Sequence, residues 1–305
     1  MKVRVLGSAA GGGFPQWNCN CPNCDGYRKG SKSLRVRTQS SIVVSADQVN
    51  WVLFNASPDI LEQIKGFPIL QPARELRDTA IASVFLMDAQ IDHTTGMYML
   101  REHRQPLDLW CHSLVRDDLM SGNPILKVLE HYCSVNWHDV PLDESGFVMP
   151  KVSGLHFQAL PLISNAPPYS PHRDHPQAGD NVGVILTDTA SRRSLFYAPG
   201  LGQMEPLVWA AMKAADCVLV DGTFWTDEEM IALGASSKTS RDMGHLPQSG
   251  PGGMVEWLDQ LPEQTRKILI HINNTNPILD EFSPQRAILR GRGIEVAFDG
   301  MEIDL

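Results

Sequence analysis

The most informative stretch of this chain is an apolar run that breaks into a polar loop. It reads Ile81-Ala82-Ser83-Val84-Phe85-Leu86-Met87 and continues as Asp88-Ala89-Gln90-Ile91-Asp92-His93-Thr94-Thr95-Gly96. The β-branched apolar run predicts one buried strand, and the residues from Met97 onward predict a helix. Asp92 and His93 therefore fall in a strand-loop-helix unit, where α/β proteins place functional groups. Such a pair can bind a metal or move a proton. The alternative is a helix cap with an incidental histidine.

Length and composition narrow the class of protein. A chain of 305 residues can bury the core of one large α/β domain or two smaller ones. The net charge of −9 argues against nucleic acid or an anionic membrane as the main partner. No apolar run approaches the roughly 20 residues of a membrane span, and Gly7 interrupts the N-terminal run too early for a secretory signal. We therefore expect a cytoplasmic protein whose thiols stay reduced.

Three of the six cysteines stand close together, within residues 17–26. Cys19, Cys21 and Cys24 form a C-x-C-x2-C pattern behind a glycine-rich loop. Thiolates at this spacing converge on one tetrahedral ion, and zinc is the expected ion in a reducing compartment. A redox motif, an iron–sulfur site and three unrelated thiols are the alternatives. No fourth cysteine lies nearby, so the fourth ligand of a zinc knuckle must come from a distant part of the chain.

A proline-rich segment spans about residues 161–180. It contains His172-Arg173-Asp174-His175 and is longer than most loops of a compact domain. We interpret this segment as a lid. Its two histidines could bind a metal, but solvated polar side chains are the more common explanation.

Polar residues also follow two apolar runs in the second half of the chain. Asp221 ends one run and His271 ends another, and His245 lies in a polar loop between them. Strand ends on one rim of a sheet converge, which would bring His271 to Asp92 and His93. Two histidines and one carboxylate form the facial arrangement of non-haem Fe(II) oxygenases. The alternative is that these histidines are capping or core groups, because spacing alone does not demonstrate convergence.

Two local signals predict secondary structure near the C-terminus. Thr226 and Glu229 predict a capping box at the start of a helix. Asp299-Gly300 predicts the turn of a hairpin that pairs residues 295–298 with residues 301–304. No linker or low-complexity segment interrupts the chain, so we predict a single domain of residues 1–305.

Long motifs are distributed over the whole chain. They are Gly7-Ser8-Ala9-Ala10-Gly11-Gly12-Gly13-Phe14-Pro15-Gln16-Trp17-Asn18-Cys19, the Asp88 to Gly96 segment, Tyr197-Ala198-Pro199-Gly200-Leu201-Gly202, Arg241-Asp242-Met243-Gly244-His245 and His271-Ile272-Asn273-Asn274-Thr275-Asn276-Pro277-Ile278. Their order resembles the metallo-β-lactamase superfamily and, more closely, the coenzyme PQQ biosynthesis protein B (PqqB) family. The resemblance implies an α/β fold, a four-layer αββα sandwich, with a metal site between the loop edges of its sheets.

The same resemblance implies an altered metal site. Hydrolases of the superfamily carry the motif H-x-H-x-D-H, whereas Asp88 and Gln90 stand here at the positions of the first two histidines. The bridging aspartate expected near Pro199-Gly200 is also missing, so the two-zinc clamp that activates water is not expected. What remains is one metal held by Asp92, His93 and His271, the trio that the strand ends also predict.

Similarity to the PqqB family further implies a reaction. It is the iron-dependent hydroxylation, with O2, of the tyrosine ring in a cross-linked Glu–Tyr unit cut from a precursor peptide. His245 is then a candidate for hydrogen bonding or proton transfer, or alternatively a helix-capping group. Because this substrate carries several carboxylates, Arg173 and Arg241 are candidate clamps. Asp88 and Gln90 are candidate ligands for its amine or phenol.

Related phosphodiesterases complete a similar cysteine knuckle with a histidine three residues beyond the position of His271. Asn274 occupies that position here, so the fourth zinc partner is Asn274, a water or another side chain. Two other functions stay open. One is a non-catalytic carrier of PQQ or its precursor, and the other is a zinc hydrolase, which the missing histidines disfavour. A homo-oligomer is neither predicted nor excluded.

Overall fold

Fourteen strands form two seven-stranded sheets in the computed structural model, which describes all 305 residues. The first sheet contains β1 (Lys2–Gly7), β2 (Ser41–Ser45), β3 (Trp51–Phe54), β4 (Ile81–Phe85), β5 (Leu107–Cys111), β6 (Val135–Asp139) and β14 (Glu302–Asp304). The second contains β7 (Phe147–Met149), β8 (Val152–Pro161), β9 (Val182–Asp188), β10 (Ser194–Ala198), β11 (Cys217–Asp221), β12 (Arg266–Ile270) and β13 (Ile294–Val296).

Nine helices accompany the sheets. They are α1 (Pro22–Arg28), α2 (Ile60–Gly66), α3 (Ile91–Thr94), α4 (Ser113–Met120), α5 (Ile125–Leu129), α6 (Pro206–Ala214), α7 (Glu229–Ala232), α8 (Met254–Asp259) and α9 (Pro284–Gly291). Four short 3-10 segments cover Pro68–Leu70, Thr95–Leu100, Arg241–Met243 and Pro277–Leu279. None of the helices has the length and apolar character needed to cross a membrane.

Each sheet is parallel on one side and antiparallel on the other. The strand order of the first sheet is β14-β1-β2-β3-β4-β5-β6, with parallel pairing from β3 to β6. The order of the second is β13-β12-β11-β10-β9-β8-β7, with parallel pairing from β10 to β13. The loops after β4, β11 and β12 therefore leave from parallel strands, at whose carboxyl ends α/β folds place ligands.

Three separate apolar clusters occupy the three spaces between four layers. The central cluster joins the two sheets and includes Phe54, whose ring lies 5.8 Å from that of Tyr197 across the interface. A second cluster packs α2, α4 and α5 on the first sheet, and a third packs α6, α8 and α9 on the second. This is the αββα sandwich that the sequence resemblance implies.

The predicted C-terminal hairpin is wrong. β13 pairs in parallel with β12, whereas β14 pairs antiparallel with β1 in the other sheet. The turn between them carries the chain from one sheet to the other. The carboxylate of Asp299 stabilises this crossing, because it accepts hydrogen bonds from the backbone N–H groups of Ser8 at 2.9 Å and Thr38 at 2.6 Å.

The predicted capping box at Thr226 is also wrong. α7 begins at Glu229 itself, so this glutamate does not lie three residues into a helix. Its carboxylate is buried instead, and it accepts hydrogen bonds from the backbone N–H of Trp225 at 2.6 Å and the hydroxyl of Thr275 at 2.5 Å. A local bond to the backbone before the helix and a tertiary bond to Thr275 take the place of the predicted cap.

Candidate metal site

Asp92 and His93 lie on α3, the single helical turn that follows β4. The sequence pattern places the helix start at Met97, but the turn forms earlier and continues as a 3-10 segment. Gly96 allows this turn to pack closely, because a Cβ atom there would lie 2.2 Å from the carbonyl oxygen of Ser57. The backbone N–H of Ala56 also donates to the carbonyl of His93 at 2.7 Å. These contacts fix α3 against the first sheet.

Asp92, His93 and His271 converge as the strand-end argument predicts. Their potential ligand atoms all lie within 4.8 Å of one another. Oδ2 of Asp92 is 3.4 Å from Nε2 of His271 and 3.7 Å from Nε2 of His93. Nε2 of His93 is buried and has no hydrogen-bond partner. An unpaired buried nitrogen is costly, and a metal between these three atoms would satisfy it.

The other ring nitrogen of each histidine, Nδ1, has a hydrogen-bond partner. Nδ1 of His93 donates to Asp88 at 2.8 Å, and Nδ1 of His271 lies 2.9 Å from the hydroxyl of Thr223. Donation from Nδ1 leaves the Nε2 lone pair free, which is the arrangement of metal-binding histidines. His271 has a φ of +60°, a conformation rare outside glycine and frequent at functional sites.

A third histidine lies beside this trio. Nδ1 of His245 donates to the buried carboxylate of Asp221 at 2.6 Å, and its ring stacks on that of His271 with centroids 5.4 Å apart. Burial alone would lower the pKa of His245, but the charge of Asp221 raises it above its usual value. This contact gives His245 a fixed orientation at the edge of the metal site.

Electrostatics within the trio favour a cation. Burial alone would raise the pKa of Asp92, but the neighbouring His93 and His271 hold it well below its usual range. Burial alone would lower the pKa of His93, yet the carboxylates of Asp88 and Asp92 raise it to about 9. Positive charge is therefore stabilised between these side chains, whether a proton or a metal ion supplies it.

The trio opens into a cavity of about 280 Å³. Arg173 on the lid is the only arginine or lysine that lines it. Gln90 also lines it, and its side-chain N–H donates to the carbonyl of Asn165 on the lid at 3.1 Å. Arg241 does not line this cavity. It borders the neighbouring one, and its side chain points toward Asp227 at 3.9 Å.

The carboxylate of Asp88 is already engaged. Both of its oxygens lie within 2.9 Å of Nδ1 of His93, and one also accepts from the backbone N–H of Gln90. The sequence suggests that Asp88 binds the amine or phenol of a substrate. The structure shows this carboxylate bonded to His93, a candidate metal ligand, at the wall of the cavity. A substrate contact of Asp88 stays a prediction.

The lid runs without helix or strand between Pro161 and Val182. The hydroxyl of Tyr169 donates to the carbonyl of Ala89, which ties the lid to the loop before α3. Inside the lid, Nδ1 of His172 lies 3.0 Å from the carboxylate of the buried Asp180. His172 is thus paired within the lid and does not join a metal cluster.

The cysteine trio forms a second candidate metal site. The sulfur atoms of Cys19, Cys21 and Cys24 lie within 4.8 Å of one another, at the start of α1. The side-chain nitrogen of Asn274 donates to all three sulfur atoms, at 3.0 to 3.6 Å, so Asn274 lies beside the open vertex with its N–H groups facing the thiols. Burial raises the pKa of the Cys21 thiol to about 12, because a buried thiolate is unfavourable. A bound cation would offset the free energy needed to ionise this thiol. The donor set therefore fits zinc.

Two residues near Asp92, His93 and His271 are not predicted as site residues from the sequence. The hydroxyl of Thr223 contacts Asp221, the ring nitrogen of His245 and the ring nitrogen of His271, and so links three predicted groups. Asn273 lines the cavity two residues after His271. Both follow a predicted strand end, which is the signal that could have identified them.

Comparison with known proteins agrees with this fold. Residues 50–272 match the family model described as "Beta-lactamase superfamily domain". The protein is therefore a member of the β-lactamase superfamily, with candidate metal ligands at the loop edge of its two sheets.

Curated relatives narrow this class. The chain is 71% identical over 305 residues to "Coenzyme PQQ synthesis protein B" of Azoarcus sp. (strain BH72), with 100% of both chains covered. It is 59% identical over 306 residues to the protein of the same name from Methylobacillus flagellatus, again with 100% of both chains covered. This chain belongs to the coenzyme PQQ synthesis protein B family.

Solved structures agree. The crystal structure of Zn2+-bound PqqB from Methylobacterium extorquens matches with a TM-score of 0.90 and 34% identity, covering 100% of both chains. A diphosphatase of the PhnP family matches with a TM-score of 0.69 at 18% identity, covering 100% of this chain and 97% of that one. The second likeness concerns the fold alone.

Proposed function

We propose that this protein acts in PQQ synthesis by hydroxylating the tyrosine ring of a cross-linked Glu–Tyr intermediate, with Fe(II) held by Asp92, His93 and His271. The observation that carries the proposal is the convergence of one carboxylate and two histidines, one of which has an unpaired buried Nε2. Two histidines and one carboxylate are the residues that would hold Fe(II), as they do in non-haem Fe(II) oxygenases. The names of the curated relatives support the pathway, and the iron and the reaction are our proposal.

Iron at this trio would supply the redox chemistry that O2 activation requires. In the overall reaction one oxygen atom enters the ring and the other leaves as water. The phenol supplies all four electrons and becomes an ortho-quinone, so no organic cosubstrate is needed. A substrate bound under the lid would be shielded from bulk water.

Individual side chains have distinct tasks in this proposal. Asp88 orients His93, and Thr223 orients His271. His245, held by Asp221, accepts the phenolic proton at Nε2. Arg173 binds a carboxylate of the substrate, because it is the only permanent cation of the cavity.

The test is an anaerobic Fe(II) reconstitution, followed by addition of isotopically labelled O2 and the cross-linked Glu–Tyr compound. Mass spectrometry measures the label in the product. We expect wild type to insert labelled oxygen, His93→Ala to insert none, and His131→Ala, which alters an exposed histidine that does not line the cavity, to behave as wild type. Tight binding of the compound without oxygen insertion would reject the enzyme and favour a non-catalytic carrier.

A further inference from the structure

Asn273 is a wall residue of the metal cavity whose amide is held in one orientation. Its backbone N–H donates to the carbonyl of Thr223 at 3.1 Å, which fixes the loop after His271. Its side-chain nitrogen points away from the cavity, to the hydroxyl of Thr275 at 2.6 Å and the sulfur of Met230 at 3.5 Å.

Thr275 and Met230, the two residues that contact the side-chain nitrogen of Asn273, both act as hydrogen-bond acceptors. The carboxylate of Glu229 can only accept once ionised, so the Thr275 hydroxyl donates its single hydrogen to it, at 2.5 Å. The lone pairs of Thr275 are then left to accept from Asn273. The thioether of Met230 has no hydrogen to donate. Oxygen and nitrogen of an amide are assigned from such a network. The Met230 contact requires the nitrogen on the inside, and the Thr275 contact requires the same above about pH 7, where Glu229 is ionised.

The amide oxygen of Asn273 is consequently turned toward the cavity. No donor of the protein bonds to it, and it is not among the enclosed polar atoms that lack a partner. It is therefore open to a ligand. The cavity thus offers an oriented acceptor on the His271 loop and a cation, Arg173, on the lid.

We propose that Asn273 determines substrate specificity, by accepting a hydrogen bond from an O–H or N–H donor of the ligand through its fixed amide oxygen. Glu229 and Thr275 are positioning residues that hold the amide. The donor is the phenol hydroxyl or the α-ammonium group of an amino-acid-derived substrate whose carboxylate is bound by Arg173. The identity of that substrate rests on the proposed function.

The test is anaerobic calorimetric binding at pH 8, where no turnover is needed. Three ligands are compared: the cross-linked Glu–Tyr compound, its analogue without the phenol hydroxyl, and its analogue without the amino group. We expect one analogue to bind wild type about tenfold more weakly than the parent, the effect of one lost hydrogen bond. Asn273→Ala should bind the parent as weakly as that analogue, and the analogue itself with unchanged affinity.

Thr275 provides the matched variants if Asn273→Ala does not fold. Thr275→Val removes the hydroxyl and should reduce the discrimination between parent and analogue, whereas Thr275→Ser should retain it. All variants should keep the metal content of wild type. Equal binding of the three ligands by wild type would reject the role of Asn273 and leave the proposed function intact. No binding of the parent by wild type would reject both.

Discussion

Asp88 accepts a hydrogen bond from Nδ1 of His93 at 2.8 Å, and both side chains are buried. The resemblance to the superfamily's hydrolases implies a metal-binding histidine at the position of Asp88. In this chain a carboxylate stands there instead and orients His93, a candidate metal ligand five residues later.

This contact predicts the effect of Asp88→Asn. A neutral amide cannot raise the basicity of His93 as a carboxylate does, so we expect about tenfold weaker zinc binding at the trio. Competition with a chelator measures the affinity. Asp117→Asn, which changes an exposed carboxylate, is the control. Unchanged affinity in Asp88→Asn would show that the contact does not support the metal.

His245 should affect the reaction and not the metal. His245→Ala removes the group that we expect to accept the phenolic proton, and we expect about a hundredfold slower product formation. Metal analysis should show the same content as wild type. Loss of metal in parallel with activity would make His245 a ligand instead.

Substitution of the two arginines that are predicted to bind substrate carboxylates should have different effects on substrate binding. Arg173→Ala removes the only arginine or lysine of the cavity, so binding of the cross-linked Glu–Tyr compound should weaken by about tenfold or more. Arg241→Ala should have no effect, because that side chain borders another cavity. Anaerobic calorimetry measures both. Equal losses in the two variants would contradict the position of the substrate.

One substitution should increase the affinity of the cysteine knuckle for zinc. Asn274→His places an imidazole next to the three sulfurs, and imidazole is a better zinc ligand than an amide. We expect at least about tenfold tighter zinc binding at the knuckle, measured by chelator competition. Asn20→His, an exposed change on the same loop, is the control. No gain would mean that Asn274 does not lie at the fourth vertex in the loaded site.

Glu229 should make the fold less stable at higher pH. Burial raises its pKa from 4.5 to about 7, and the groups that contact its carboxylate, on Trp225, Thr226 and Thr275, are neutral. Between pH 4.5 and pH 7, Glu229 is therefore protonated in the folded state and ionised in the unfolded state. Its contribution is fully present below about pH 4.5 and disappears as the pH rises through 7, a change of about 3 kcal/mol.

Glu229→Gln should remove this dependence. Urea unfolding between pH 4.5 and 8 measures the free energy of unfolding, and the difference between wild type and variant isolates this one group. Glu228→Gln, the exposed neighbour, should keep the slope of wild type. Parallel curves for wild type and Glu229→Gln would contradict the raised pKa.

Much of this site is visible in the sequence because strand ends are local signals. The apolar run before Asp88 and the run before His271 each predict a strand, and the residues just beyond them form the trio. The role of Asp88, the position of Arg241 and the separation of β13 from β14 were not predictable in this way. The separation of β13 from β14 depends on pairing with strands that are remote in the chain. The Asp88–His93 and Arg241–Asp227 contacts join residues closer in sequence, but they depend on loop conformations that periodicity does not specify.

The sequence by itself determined the alternation of buried strands and polar loops, the spacing of three cysteines and the residues at each strand end. Only the tertiary structure decided which nitrogen of each histidine is held and which way the amide of Asn273 faces. Asp92 and His271 are 179 residues apart and meet at 3.4 Å. The physical reason is that periodicity specifies which face of a strand is buried, whereas the partner of a polar atom depends on how separate layers pack together.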